Sequence, residues 1–158
     1  MSTFVIDTNV LRVSNGQSSH ASLTCVAACI GTLIDIRNAH RSAVDAEGHI
    51  FAEYFKNASR SGQPGVGDSF AKWLWDNQGV SKHCELVRTH PEDAAGREFE
   101  VFRSNEALDE FDLSDRKFVM VALNSGFRPK VLNAVDSDWA IFADALVLAG
   151  VVVQELCG

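Results

Sequence analysis

The sequence predicts an α/β fold with three layers, α/β/α, around a mainly parallel central sheet. Short apolar runs alternate with longer amphipathic segments, most clearly in the second half of the chain, and only a few residues connect them. This alternation implies right-handed crossovers between parallel strands, with helices on both faces of the sheet. The chain has 158 residues, which suits a single domain spanning 1–158 with a core of its own.

Strands are predicted where short apolar runs end at polar or turn-forming residues. The first is TFVID at residues 3–7, which ends in an acid. Further strands are predicted at residues 42–45, 84–90, 130–135 and 151–156, with a weaker one at 99–102.

Helices are predicted from apolar residues at three- and four-residue spacing, and from capping residues. Residues 23–36 have this spacing, and Ser22 is a candidate N-cap. The other predicted helices are 49–58, a helix capped by Asp68 or Ser69 and ending at Trp75, a helix from Ser114 or Asp115 to Gly126, and 138–150 with Gly150 as its C-cap. The composition of the glycine-rich residues 61–67 predicts a loop. This loop is not expected to bind phosphate, because it lacks the Gly-Lys-Ser/Thr ending of a phosphate loop.

The charge and hydropathy of the chain exclude some classes of function. The net charge is −7, from 14 basic and 21 acidic residues, which argues against a broad basic surface that coats DNA. No apolar stretch reaches about eighteen residues, so no membrane span is predicted. The N-terminus lacks the pattern of a signal peptide, so a cytoplasmic location is the default expectation.

The four cysteines are predicted to be buried free thiols. They include no Cys-x-x-Cys pair, and a zinc site would need tetrahedral ligands at tighter spacing. The five histidines also show no spacing typical of metal ligands.

Acidic residues occur where predicted strands end and predicted helices begin. Asp7 ends the first strand, Asp136 follows the strand at 130–135, and Asp115 opens a helix that enters from the same edge. Ligands of open parallel sheets bind outside the carboxyl ends of the strands, so these three acids should converge there. Glu53 lies on a helix after the second strand and could reach them.

Carboxylates brought together repel one another and resist ionising unless a cation binds them. Mg²⁺ or Mn²⁺ is the usual cation in a cluster of oxygen ligands. Such ions are used in phosphodiester hydrolysis, so the pattern predicts metal-dependent cleavage of nucleic acid.

Three motifs resemble the PIN domain, a family of metal-dependent nucleases. VIDTNVL (5–11) is similar to the family's opening strand, SDRKFVMVAL (114–123) to the helix that carries its third acid, and LNAVDSDW (132–139) to its acidic pair before an aromatic residue. The resemblance runs from residue 4 to residue 156. Ala134 is a departure, because many PIN domains have Ser or Thr there.

The resemblance implies a set of site residues. It makes Asp7, Glu53, Asp115 and Asp136 the metal ligands and catalytic residues, with Asp138 as an auxiliary ligand or as a residue that contacts one of the ligands. Asp35 and Glu47 are weaker candidates for the position given to Glu53. Asn9 would orient Asp7 or contact a phosphate. Lys56 and Arg116 lie near these acids in the sequence and are candidate contacts to the substrate phosphates.

The leading functional hypothesis is a Mg²⁺- or Mn²⁺-dependent endoribonuclease. The resemblance also suggests a toxin of a toxin–antitoxin pair, an antitoxin-type inhibitor protein as a partner, and a homodimer. One alternative is a non-catalytic PIN-like module that binds RNA or protein. A second alternative, ranked last, is a phosphatase with an aspartyl nucleophile, which would need an acid where Asn9 stands.

Overall fold

The structure, a computed structural model that describes all of residues 1–158, is built on one five-stranded sheet. The strands are β1 (Thr3–Ile6), β2 (Arg41–Asp45), β3 (Cys84–Val87), β4 (Lys130–Asn133) and β5 (Val153–Glu155). Their order across the sheet is β3-β2-β1-β4-β5, and every neighbouring pair is parallel. The predicted three-layer α/β/α class with a parallel sheet is confirmed.

Eight α-helices surround the sheet. They are α1 (Thr8–Ser14), α2 (Leu23–Ala39), α3 (His49–Asn57), α4 (Val66–Asp76), α5 (Glu100–Arg103), α6 (Arg116–Asn124), α7 (Ser137–Ile141) and α8 (Ala143–Ala149). Helix α6 packs on β1, β2 and β4, whereas α1, α2 and α4 pack on one another. None of the helices combines the length and the apolar character needed to cross a membrane.

The two central strands form the middle of the core. Val5 and Ile6 of β1, and Val131 and Leu132 of β4, have no exposed surface. Strands covered on both faces read as continuous apolar runs rather than alternating ones, and this made β1 and β4 easy to identify.

The weak strand predicted at residues 99–102 is wrong, because this segment forms the short helix α5. Phe99 and Phe102 are three residues apart and both are buried, which is the spacing of one helical face. The Phe102 ring stacks on Phe111, whose ring packs edge-on against Trp139 with centroids 5.1 Å apart. This aromatic cluster holds the long connection from β3 to α6 against the body of the protein.

Helix α4 begins at Val66, inside the segment predicted to be a loop. Asp68 is the third residue of the helix rather than its cap, and its carboxylate accepts hydrogen bonds from the backbone N–H groups of Gly65 and Ser59. Gly67 lies against α1 so closely that a β-carbon there would come within 2.2 Å of the Leu11 carbonyl oxygen. The glycines in this stretch therefore serve helix packing.

Two further helix boundaries differ from the prediction. The helix expected at 138–150 is divided at Phe142 into α7 and α8. Helix α1 was not predicted, because it starts directly after β1 with Asp7 as its N-cap and leaves no connecting residues between strand and helix. Because Asp7 was assigned to the predicted strand at residues 3–7, it was not recognised as the N-cap of a helix.

The prediction of four free thiols is wrong for two of the cysteines. Cys25, on α2, and Cys157, after β5, form a disulfide with a Cα–Cα distance of 4.9 Å. Cys29 and Cys84 are free and buried. The two bonded residues are 132 positions apart in sequence, so local spacing could not indicate that they meet.

Reduction of this disulfide is expected to lower the free energy of unfolding by about 2–5 kcal/mol, because the bond closes a long loop in the unfolded chain. Urea denaturation with and without reductant, in the presence of a chelator, measures the effect. A variant with Cys25→Ala and Cys157→Ala should show no response to the reductant. Equal urea midpoints for the oxidised and reduced wild type would contradict the expectation.

Candidate metal site at the carboxyl edge of the sheet

The candidate site lies where the order of the strands reverses. The chain passes from β1 outward to β2 and β3, then returns to β4 on the other side of β1. Crevices at such switch points, at the carboxyl ends of the strands, are the usual ligand sites of parallel sheets. Asp7 follows β1 directly and Asp136 follows β4 by three residues. Asp115 precedes α6, which returns antiparallel to the strands and therefore starts at the same edge.

The carboxylates of Asp7, Asp115 and Asp136 meet at this edge. One oxygen from each lies within 4.8 Å of the other two, and we call these three residues the acidic cluster. Asp7 is 4% exposed, Asp115 is 8% exposed and Asp136 is half-buried. Three predicted ligands are thus brought together from three separate elements of the fold.

Both carboxylate oxygens of Asp7 accept hydrogen bonds. Its Oδ1 accepts from the backbone N–H of Asn9 at 2.9 Å, which caps the start of α1. Its Oδ2 accepts from the indole Nε1 of Trp139 at 2.6 Å. Trp139 has no exposed surface, so the indole is fixed by packing and fixes the carboxylate in turn. Sequence reasoning did not single out Trp139, although it follows the acidic pair at 136 and 138.

Asp136 and Asp115 enter the cluster from helix starts. Asp136 is the N-cap of α7, and its Oδ1 accepts from the backbone N–H of Asp138 at 2.9 Å. Asp115 ends a 3-10 turn, Leu113–Asp115, that is capped by Asp112. The Asp115 side chain does not cap α6, so its carboxylate is left facing the other two. Asp112 therefore caps the turn that leads into α6, and the carboxylate of Asp115 does not act as a cap.

The surroundings of the cluster oppose full ionisation. Burial raises the pKa of Asp7 to about 7, with Glu53 and Asp136 adding repulsion, against a lowering by the hydrogen bonds that Asp7 accepts. Burial, together with repulsion from the neighbouring carboxylates, raises the pKa of Asp115 to about 9. The pKa of Asp138 is raised as well, by desolvation and then by Asp136. A bound cation would offset both the desolvation and the repulsion.

Glu53 lies beside the cluster with a lysine as its partner. Its carboxylate accepts from Lys117 Nζ at 2.8 Å and from the hydroxyl of Thr8. Lys117 is buried and also contacts the Ser114 carbonyl oxygen. The hydroxyl of Tyr54 donates to the Ile6 carbonyl oxygen at 2.6 Å, which anchors α3 at the end of β1. These contacts hold Glu53 beside the acidic cluster, but its oxygens are not among the carboxylate oxygens that lie within 4.8 Å of one another.

The alternative acids for this position have other partners. Asp35 is exposed on α2, where its carboxylate lies 3.3 Å from the His40 imidazole. Glu47 accepts hydrogen bonds from the backbone and hydroxyl of Thr89. Asp45, which ends β2, is buried, but both of its oxygens bind the first N–H groups of α3. Of these acids, Glu53 alone lies next to the cluster.

The amide side chains of Asn9 and Asn133 connect the start of α1 to the turn that follows β4. Asn9 Nδ2 donates to Asn133 Oδ1 at 2.8 Å, and Asn9 Oδ1 accepts from the Ala134 backbone N–H at 2.9 Å. Asn133 Nδ2 then donates to the Asp136 carbonyl oxygen at 2.8 Å and to Glu155 Oε2 at 2.7 Å. Asn133 thus positions the Asp136 turn, a role that the sequence did not indicate because the residue looks like the end of a strand.

Lys56 and Arg116, the two predicted phosphate contacts, differ in their exposure to solvent. Lys56 is exposed and lines a cavity of about 440 Å³ with His49, Arg97, Lys117 and Glu53. Arg116 is 5% exposed, donates to the carbonyl oxygens of Phe111 and Asp109, and stacks on Phe102. Lys56 can reach a ligand in the cavity, whereas the guanidinium of Arg116 holds the connection that leads to Asp115.

Without metal, the free energy of unfolding is expected to fall as pH rises from about 5 to about 8. The folded cluster, with its raised pKa values, retains protons that unfolded aspartates, with a pKa of 3.8, release. This stabilisation is complete below the unfolded pKa and is lost as pH rises through the folded pKa values, with a slope of about 1.4 kcal/mol per pH unit for each proton retained. Urea denaturation in a chelator at several pH values measures the slope.

The substitution Asp115→Asn should flatten this pH dependence, because it removes the carboxyl group with the higher folded pKa and therefore one retained proton. Asp144→Asn is the matched control, since Asp144 is an exposed aspartate on α8, and it should keep the wild-type slope. Equal slopes in the two variants would show that the pH dependence arises elsewhere.

The function of this chain has to be inferred from the geometry of the site, because comparison with known proteins identified no relative. Neither family models, nor curated proteins, nor solved structures gave a match to the chain.

Proposed function

We propose that the chain is a Mg²⁺- or Mn²⁺-dependent nuclease with a PIN-like arrangement of acids, and that it hydrolyses phosphodiester bonds of RNA. The observation that carries the proposal is the convergence of Asp7, Asp115 and Asp136, from three separate elements, at the switch point of the sheet. Burying carboxylates together is unfavourable, and a divalent cation bound by oxygen ligands removes that cost.

The residues of the acidic cluster would hold the metal, with Glu53 and Asp138 flanking it. When bound, Mg²⁺ or Mn²⁺ supplies Lewis acidity and an activated water for attack on phosphorus. Trp139 and Asn9 keep the Asp7 carboxylate in a fixed orientation. The raised pKa of Asp115 means that metal binding would release a proton from the cluster at neutral pH.

A groove beside the cluster offers a path for the phosphate backbone. The cavity lined by Lys56, Arg97 and Lys117 borders Glu53, so positive charge lies next to the acids despite the net charge of −7. A local basic groove attracts a strand of nucleic acid without a broad basic surface. The choice of RNA over DNA rests on the resemblance of the three motifs to PIN domains.

A non-catalytic RNA- or protein-binding module is the second candidate. The contact between Glu53 and Lys117 favours it, because it occupies the carboxylate that would otherwise be the fourth ligand. The toxin role, an antitoxin-type inhibitor and a homodimer are further proposals that depend on the family resemblance, and a cytoplasmic location is proposed in addition. A nuclease that acts on the RNA of its own cell would work in the cytoplasm.

Metal binding is tested by thermal unfolding with added Mn²⁺ or Mg²⁺. At a concentration about a hundred times Kd, the metal should stabilise the wild type by roughly 2.7 kcal/mol. Asp115→Asn should lose this shift, whereas Asp144→Asn should keep it. A wild type that shows no shift with either ion would remove the basis of the proposal.

Cleavage is tested with end-labelled single-stranded RNA and with DNA of the same sequence. Asp7→Asn and Asp136→Asn should each lower the rate by about a hundredfold or more, because each removes a charge that holds the metal against the developing negative charge. Asp144→Asn again serves as the control. A protein that binds Mn²⁺ and RNA but leaves both substrates intact would favour the binding module.

A further inference from the structure

Three of the four cysteines lie together, and only two of them form the disulfide. Cys29 Sγ is 3.8 Å from Cys157 Sγ, and the sulfurs of Cys25, Cys29 and Cys157 all lie within 4.8 Å of one another. We call these residues the sulfur trio. Cys25 and Cys29 are one turn apart on α2 and therefore face the same side of the helix.

The disulfide is one of two chemical states of the trio. In a reducing compartment a thiol reductant supplies two electrons and two protons, the S–S bond breaks, and Cys25 and Cys157 become thiols while the reductant forms its own disulfide. The reduced chain then has three thiols in one place, two on helix α2 and one in the segment after β5.

We propose that the reduced chain binds one Zn²⁺ ion through Cys25, Cys29 and Cys157. Zinc–sulfur bonds are about 2.3 Å long, so two sulfurs in a tetrahedral site lie roughly 3.8 Å apart. The distance between Cys29 Sγ and Cys157 Sγ already matches this value. Once the S–S bond is broken, the sulfurs of Cys25 and Cys157 are no longer held at bonding distance and can separate to this spacing.

A fourth ligand can reach the ion from one side. A cavity of about 350 Å³ is lined by Cys25 and Cys157 and also by His20 and Asp136. His20 or a water molecule would complete the tetrahedron. The donor atoms separate this site from the acidic cluster, since soft thiolates select Zn²⁺ and a set of oxygen ligands selects Mg²⁺ or Mn²⁺.

The zinc site would have the same mechanical role as the disulfide. Either the S–S bond or the ion ties the segment that follows β5 to the first turn of α2. The chain would therefore keep this connection in both oxidising and reducing surroundings. The inference does not depend on the proposed nuclease activity, because it uses none of the acidic residues as ligands.

The test is titration of the reduced, reductant-free protein with Co²⁺, followed by Zn²⁺. Cobalt bound to thiolates gives a charge-transfer band that oxygen ligands do not produce, so binding at the acidic cluster is not counted. We expect one Co²⁺ per chain with this band, displaced by Zn²⁺. Cys29→Ala should weaken binding on the order of a hundredfold, whereas Cys84→Ala, which changes a buried free cysteine on β3, should not.

The oxidised wild type is a control that needs no substitution. Its disulfide leaves one free thiol in the trio, so it should give no band at the Co²⁺ concentrations that saturate the reduced protein. Absence of the band in the reduced wild type would overturn the proposal. Equal affinities in Cys29→Ala and Cys84→Ala, or an equal band in the oxidised protein, would also overturn it.

Discussion

The pairing of β1 with β4 is the constraint on which the rest of this structure depends. The register places Ile6 beside Leu132, and the backbone N–H of Asp7 continues the ladder by donating to the Leu132 carbonyl oxygen at 3.1 Å. This pairing brings the end of β1 next to the turn that follows β4. The amides of Asn9 and Asn133 then lock the two connections together. A shift in the register of β4 would separate Asp7 from Asp136, and the acidic cluster would not form.

The site is a compromise between burial and charge. Asp7 is buried, which favours the neutral carboxylic acid, yet it accepts two hydrogen bonds, one of them from the indole of Trp139, that favour the carboxylate. Asp115 has no such hydrogen bond from its own helix, and the pKa of its carboxyl is raised further. Such an arrangement of carboxylates is unfavourable by itself and becomes favourable when a cation binds. This is the physical basis for proposing a metal centre here.

Much of the fold could be predicted, because β1 and β4 are buried on both faces and their apolar runs are unambiguous. The convergence of Asp7, Asp115 and Asp136 followed from topology alone, since acids at the carboxyl ends of neighbouring parallel strands must lie close together. Contacts between residues far apart in sequence could not be predicted. The indole of Trp139 on Asp7, the lysine that binds Glu53 and the meeting of Cys157 with α2 depend on packing that no local pattern encodes.

The position of β1 in the middle of the sheet also governs when the site can exist during synthesis. The strand β1 is synthesised first, and its neighbour β4 and the acid at position 136 emerge from the ribosome only after more than a hundred further residues have been added, since β1 ends at Ile6 and β4 begins at Lys130. Long-range parallel pairing of this kind forms late. A nascent chain therefore has no assembled acidic cluster until β4 and the turn that carries Asp136 have been made.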